Sequence, residues 1–111
     1  MKILNTESND EVLCLRAFED LYNVDDPEVG LNVVDLGLIY KLDFDKENKF
    51  LDVVITFTTE FCPMGESIYE NISISLQDSF PDWKVDVNVS FEPPWEMGMI
   101  SEAGQEFLGY Y

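Results

Sequence analysis

The chain contains no histidine. That absence removes the Ser-His-Asp triad, the Cys-His pair and every histidine-bearing zinc site. Any general base must be Asp, Glu, Lys, Tyr or water, and any metal must be held by Cys, carboxylates, hydroxyls or backbone. Basic residues are scarce: 6 Lys and Arg stand against 23 Asp and Glu, a net charge of -17. Phosphate contacts depend on Lys and Arg, so nucleic acid and anionic membranes are poor partners. A basic protein partner, or cations, would be attracted, although solubility alone accounts for such a charge. Only two cysteines are present. The opening Met1-Lys2-Ile3-Leu4-Asn5 lacks the apolar run of a secretory signal, and no segment has the length of a membrane span. Reduced thiols and a cytoplasmic protein are the expectation.

What is present suits one α+β domain over residues 1–111. Apolar residues make up 46% of the chain and are spread along it. A chain of this length buries roughly two-thirds of its unfolded surface and needs no disulfide or structural metal. Leu13, Ala17 and Leu21, with Cys14 and Phe18 beside them, predict a helix over 8–22 capped by Ser8 or Asn9. Asn23 to Gly30 has turn chemistry. Alternation of Leu36, Leu38, Tyr40, Leu42 and Phe44 predicts a strand, Asp45–Asn48 a hairpin turn, and Leu51, Val53, Ile55 and Phe57 a second strand. Ile68, Ile72 and Leu76, extended by Tyr69 and Phe80, form the stripe of a second helix that Pro81 ends. Val85, Val87 and Val89 lie in a third strand from Trp83 to Phe91, which Pro93 and Pro94 cannot continue. A short helix follows Ser101, with Phe107 and Leu108 facing inward. The order α-β-β-α-β-α, with each strand apolar on one side, predicts two layers with the helices mainly on one face of a small sheet. The strand order is not determined by these patterns.

The candidate for chemistry is Cys62, in Thr58-Thr59-Glu60-Phe61-Cys62-Pro63, where a strand gives way to a helix. With Pro63 at the first helical position, the thiol would sit at a helix N-terminus that favours the thiolate. The plainer reading is a buried, inert cysteine, and position alone weighs the two equally. Cys14 lies near an apolar stripe and reads as core; a Cys14–Cys62 disulfide stays open, although the two form no CxxC motif. Asp26 and Glu28 flank Pro27 in a turn, and Thr58 and Thr59 end a strand. Each alone reads as local structure, but neighbouring strands could bring these carboxylates and hydroxyls to the thiol. Pro93-Pro94-Trp95 reads as a rigid turn anchored by an aromatic ring. Met97 and Met99 could offer thioethers to Cu(I), but packing is the stronger reading.

Taken together, Asp26-Pro27-Glu28, Val33-Val34-Asp35-Leu36-Gly37-Leu38-Ile39-Tyr40, Thr58-Thr59 before Cys62-Pro63, and Pro93-Pro94-Trp95 before a final helix with Ser101 resemble the iron–sulfur cluster assembly domain family. That family includes SufT-like and PaaD-like proteins and the eukaryotic cytosolic iron–sulfur targeting subunit. The resemblance spans about residues 10 to 108; each motif is weak alone, and their shared order makes the signal specific. It implies a compact α/β domain serving iron–sulfur protein maturation. It implies Cys62 as the reactive thiol or a transient metal ligand, with Asp26, Glu28, Thr58 and Thr59 as a polar cluster around it. Glu60-Phe61 fills a slot where members vary. A transient iron or iron–sulfur cluster is the implied cofactor, and assembly machinery or client proteins are the implied partners.

Three functions compete. The first is an accessory factor that assembles or delivers clusters. One thiolate cannot satisfy a cluster that takes four protein ligands, so a homodimer, a partner's cysteines or a small thiol would supply the rest. The second is a cysteine-dependent redox protein, which needs a depressed thiol pKa. The third is an acidic adaptor without chemistry. The first is the expectation, and an assembly factor is favoured over an enzyme.

Overall fold

The computed structural model describes residues 1–109. Five strands form one sheet in the order β1-β2-β5-β6-β7. A hairpin of β1 (Lys2–Ile3) and β2 (Thr6–Ser8) leads into helix α1 (Glu11–Leu21). A second small hairpin, β3 (Asp25–Asp26) with β4 (Leu31–Asn32), stands apart from the main sheet. Then come β5 (Ile39–Asp45), β6 (Phe50–Ile55), α2 (Gly65–Ser79), β7 (Lys84–Val89), a 3₁₀ turn at Met97–Met99 and α3 (Glu102–Leu108).

The alternation read in the strands has its expected cause. Leu42, Phe44, Leu51, Val53, Ile55 and Val87 are buried in one core with Cys14, Ala17, Phe18 and Leu21 of α1 and Ile68, Ile72 and Leu76 of α2. On the other sheet face Lys41, Asp52 and Val54 are partly covered, and Asp43, Asp86 and Asn88 are exposed. Helices α1 and α2 pack on each other, so the two layers hold.

Three features depart from the predicted order. The N-terminal hairpin precedes the first helix, and β2 pairs parallel with β5 (Glu7 opposite Lys41, Ser8 opposite Leu42). These strands are too short to alternate visibly; side chains anchor them. Thr6 Oγ1 donates to the Ile39 carbonyl at 2.6 Å, and Asn9 exchanges hydrogen bonds with the Phe44 backbone at 2.8 and 2.9 Å. Asn9 is therefore a bridge to the sheet. The cap of α1 is Asp10, whose carboxylate accepts from the Leu13 N–H at 2.9 Å and pairs with Lys46 Nζ at 2.6 Å.

Second, β5 begins at Ile39, because Leu36 and Gly37 belong to a turn. Gly37 has φ +83°, and any Cβ there would collide with the Met99 carbonyl oxygen. Third, Phe107 on α3 is exposed, while Leu108 packs inward. Ser101 caps α3, accepting from the Gly104 N–H at 2.9 Å and donating to the Asp35 carboxylate at 2.7 Å.

β6 and β7 run parallel, joined by α2, as a parallel pair requires. The connection from β6 into α2 therefore leaves the carboxyl end of a parallel strand, where open α/β sheets place their ligand sites. Cys62 lies in that connection.

Candidate functional site

Cys62 is half-buried and packs against the rim of the core. It does not sit at the helix N-terminus. The cap of α2 is Met64 and the helix begins at Gly65, so Pro63 precedes the cap and does not fill the first helical position. The reason is local packing: Gly65 is buried, and a Cβ on it would stand 3.0 Å from the Phe57 ring. The helix starts where a residue without a side chain meets that ring, and Cys62 lies outside it between the turns at residues 60–61 and 63–64.

The electrostatics are correspondingly reversed from the thiolate expectation. Burial pushes the Cys62 thiol up from its ordinary pKa. The Met64 N–H pulls it down, and the Asp26 and Glu28 carboxylates push it further up. Relative to a free cysteine, the thiolate is disfavoured here. The same fact places Asp26 and Glu28, from the β3–β4 hairpin, within electrostatic reach of Cys62.

Asp26 is the most unusual residue of the group. It is fully buried. One carboxylate oxygen, Oδ1, accepts from the Glu28 N–H at 2.9 Å, closing the turn around Pro27. The Asp26 main-chain carbonyl accepts from the Val29 and Gly30 N–H groups. The second oxygen, Oδ2, is buried without any hydrogen-bond partner among the described residues. A buried carboxylate oxygen left unpaired is costly.

Thr58 is partly buried and Thr59 exposed; Thr59 Oγ1 accepts from the Phe61 N–H at 3.3 Å and so shapes the turn before the cysteine. Phe61 is 88% exposed directly before the thiol, with Met64 also exposed after it. No periodicity could have singled out Phe61, since loop residues lack a face to be judged against.

Cys14 is fully buried, and burial raises its pKa to about 11. Both cysteines are free thiols, so no Cys14–Cys62 disulfide forms. The Pro93-Pro94-Trp95 turn is anchored as read: Trp95 Nε1–H donates to the Leu36 carbonyl at 2.8 Å, and the Tyr40 hydroxyl donates to the Pro93 carbonyl at 2.8 Å. Met99 Sδ accepts from that same hydroxyl at 3.4 Å, and Met97 is exposed. Among the described residues no three His, Cys, Asp or Glu side chains are grouped to hold a metal ion. None of the described helices is long and apolar enough to cross a membrane.

The fold and this geometry define a small α+β domain with a single half-buried thiol at the carboxyl end of a parallel strand, faced by acidic side chains. A family model described as iron-sulfur cluster assembly protein matches residues 17–91, and the chain belongs to that family. Pro93-Pro94-Trp95 and Ser101 lie beyond the matched stretch. Among its relatives, a Porphyromonas gingivalis protein named Fe-S protein maturation auxiliary factor is 36% identical over 90 residues, covering 81% of this chain and 85% of its own. The Fe-S protein maturation auxiliary factor SufT of Staphylococcus aureus is 36% identical over 84 residues, covering 76% and 94%. The crystal structure of a domain of unknown function from Bacillus anthracis superposes with a TM-score of 0.81 at 30% identity, covering 91% of this chain and 95% of that one. A conserved hypothetical protein from Thermotoga maritima gives 0.71 at 33% identity, covering 86% and 92%.

Proposed function

We propose that this protein is an accessory factor in the maturation of iron–sulfur proteins, acting in the cytoplasm through Cys62 as a contact thiol or labile ligand during assembly or delivery. The observation that carries the reading is that the Asp26–Glu28 turn lies within electrostatic reach of the Cys62 thiol, with Asp26 Oδ2 buried and without a hydrogen-bond partner among the described residues. Kinship with proteins named maturation auxiliary factors supplies the pathway. Iron or a cluster is cargo in this reading, not a resident group. A cluster normally takes four protein ligands, and one thiol with neighbouring carboxylates supplies too few, so assembly partners or clients would complete the set. Thr58 and Thr59 shape the approach to the thiol.

A thiol-redox function is less well supported. It needs a thiol pKa below the ordinary value, whereas burial and two carboxylates act in the opposite sense here.

The test pairs two measurements on the wild type and Cys62→Ser. In cells lacking the protein, the mutant should fail to restore the activity of iron–sulfur enzymes that the wild type restores. In anaerobic reconstitution with iron and sulfide, any cluster absorbance seen with the wild type should vanish in the mutant. Full rescue by Cys62→Ser would sink the role assigned to the thiol.

A further inference from the structure

β7 is the last strand of the sheet, and no strand among the described residues pairs with its outer edge. It pairs with β6 over its whole length without a register shift, from Phe50 opposite Lys84 to Ile55 opposite Val89. The Lys84 N–H reaches the Lys49 carbonyl and the Ser90 N–H the Ile55 carbonyl, both at the β6 side. In a parallel ladder the alternate residues then point their backbone groups away. The N–H groups of Val85, Val87 and Val89 therefore face outward, with no partner among the described residues. The Val87 carbonyl confirms the direction, because it is reached from outside by the Tyr69 hydroxyl of α2 at 3.0 Å.

Edges of this kind are normally guarded by proline, a bulge, brevity or charged side chains, and of these β7 has only the charges of Lys84 and Asp86. The opposite edge is guarded by brevity: β1 has two residues and turns at Leu4, with φ 53°. β7 has six residues, no proline and no bulge. Its carboxyl end lies at the same end of the sheet as the Cys62 connection. Phe91, just past the strand, packs on Phe57 with ring centroids 6.3 Å apart, and Phe57 backs Gly65 at the start of α2. The surroundings are acidic. Asp86 on β7, Glu66 one turn before Tyr69, and Glu60 and Glu92 at the Cys62 end are all exposed, against Lys84 at the far end.

We infer that the β7 edge is a docking strip for an extended, lysine- or arginine-bearing segment of a partner protein. The segment adds as a sixth strand and ends beside Cys62. Backbone amides supply the ladder, and Asp86 and Glu66 supply the preference for a basic strand. A second copy of this chain fits poorly, since each carries a net charge of -17. Only the delivery to Cys62 rests on the function proposed above; the strip itself does not need the thiol.

The probe is a short acetylated peptide that alternates lysine with valine, titrated into the full chain while amide hydrogen exchange is read residue by residue by NMR. The amides of Val85, Val87 and Val89 should exchange about tenfold more slowly in its presence. Val87→Pro, which removes an outward N–H and leaves the β6 ladder intact, should abolish that protection. Should that variant not fold, Glu66→Lys with Asp86→Lys, both at exposed positions, should weaken binding about fivefold. Cys62→Ser should bind as the wild type does, which separates this result from any failure of the thiol. The idea falls if those three amides are unaffected, or if a peptide alternating glutamate with valine protects them equally. It falls also if they are protected without peptide in proportion to protein concentration, which would make the edge a self-association surface.

Discussion

The two cysteines show how differently one side chain is treated in two regions of the same molecule. Cys14 lies on α1 between Ala17, Phe18 and the sheet, where helical periodicity carries it into the core. Cys62 lies in the irregular connection between β6 and α2, half-buried, with Asp26 and Glu28 acting on it and the exposed Phe61 ring beside it. Both thiols are raised in pKa, and in both burial is the leading cause. The difference is that Cys14 is sealed in the core with Ser8 close by and one carboxylate, Asp10, acting on it that is already paired with Lys46, whereas half-buried Cys62 has two carboxylates, Asp26 and Glu28, acting on it that a cation or a basic partner could neutralise. A raised pKa thus does not separate a structural cysteine from a functional one; the character of the neighbours does.

The largest expected contrast is in access. With the protein folded at pH 8, iodoacetamide should modify Cys62 at least about a thousandfold faster than Cys14, because Cys14 reacts only when the structure opens. Mass spectrometry of timed quenches measures it, and comparable rates would break the contrast. Next in size is packing. Cys14→Leu should cost about 1–3 kcal/mol by overfilling a tight core, while Cys62→Leu should leave the denaturation midpoint close to that of the wild type; urea titration compares them.

A smaller effect sharpens the electrostatic half. The alkylation rate of Cys62 should rise with pH to a midpoint above the ordinary thiol value of 9.0. Asp26→Asn combined with Glu28→Gln should move that midpoint down, towards but not below the ordinary value, since burial remains the main cause. An unmoved midpoint would mean that the carboxylates do not face the thiol. The smallest effect is on stability in alkali. A thiol held at about 11 in the folded state binds its proton more tightly than the unfolded chain does. Its contribution is fully present below the unfolded value near 9.0 and is lost as pH rises towards 11. Cys14→Ala should flatten the fall in melting temperature over that interval.

Cys14 was legible as core because a helix repeats its environment every turn. The same periodicity revealed α2 and the central strands β5, β6 and β7, where a run of residues shares one face. Cys62 was legible as the residue to watch, with Asp26, Glu28, Thr58 and Thr59 implied around it by the resemblance, but its place relative to α2 and the sign of its shift were not. The thiolate expectation assumed that Pro63 would open the helix, and the contact between Gly65 and the Phe57 ring moved the start two residues on. The β1–β2 hairpin was invisible for a related reason. Its two- and three-residue strands have no pattern of their own and exist through bonds such as Thr6 to Ile39 and Asn9 to Phe44.

By itself the sequence determined the absence of histidine chemistry, the acidic surface, the helix and strand types, and Cys62 with its family resemblance. These follow from composition and from short-range repetition, which require no knowledge of what meets across the fold. Only the tertiary structure decided the strand order, the unpaired outer edge of β7, and the start of α2 beyond the Cys62 connection. It also decided the sign of the Cys62 shift. Each of those depends on groups from separate parts of the chain, and the free energy of a buried charge or an unpaired amide is set by whatever the fold brings next to it.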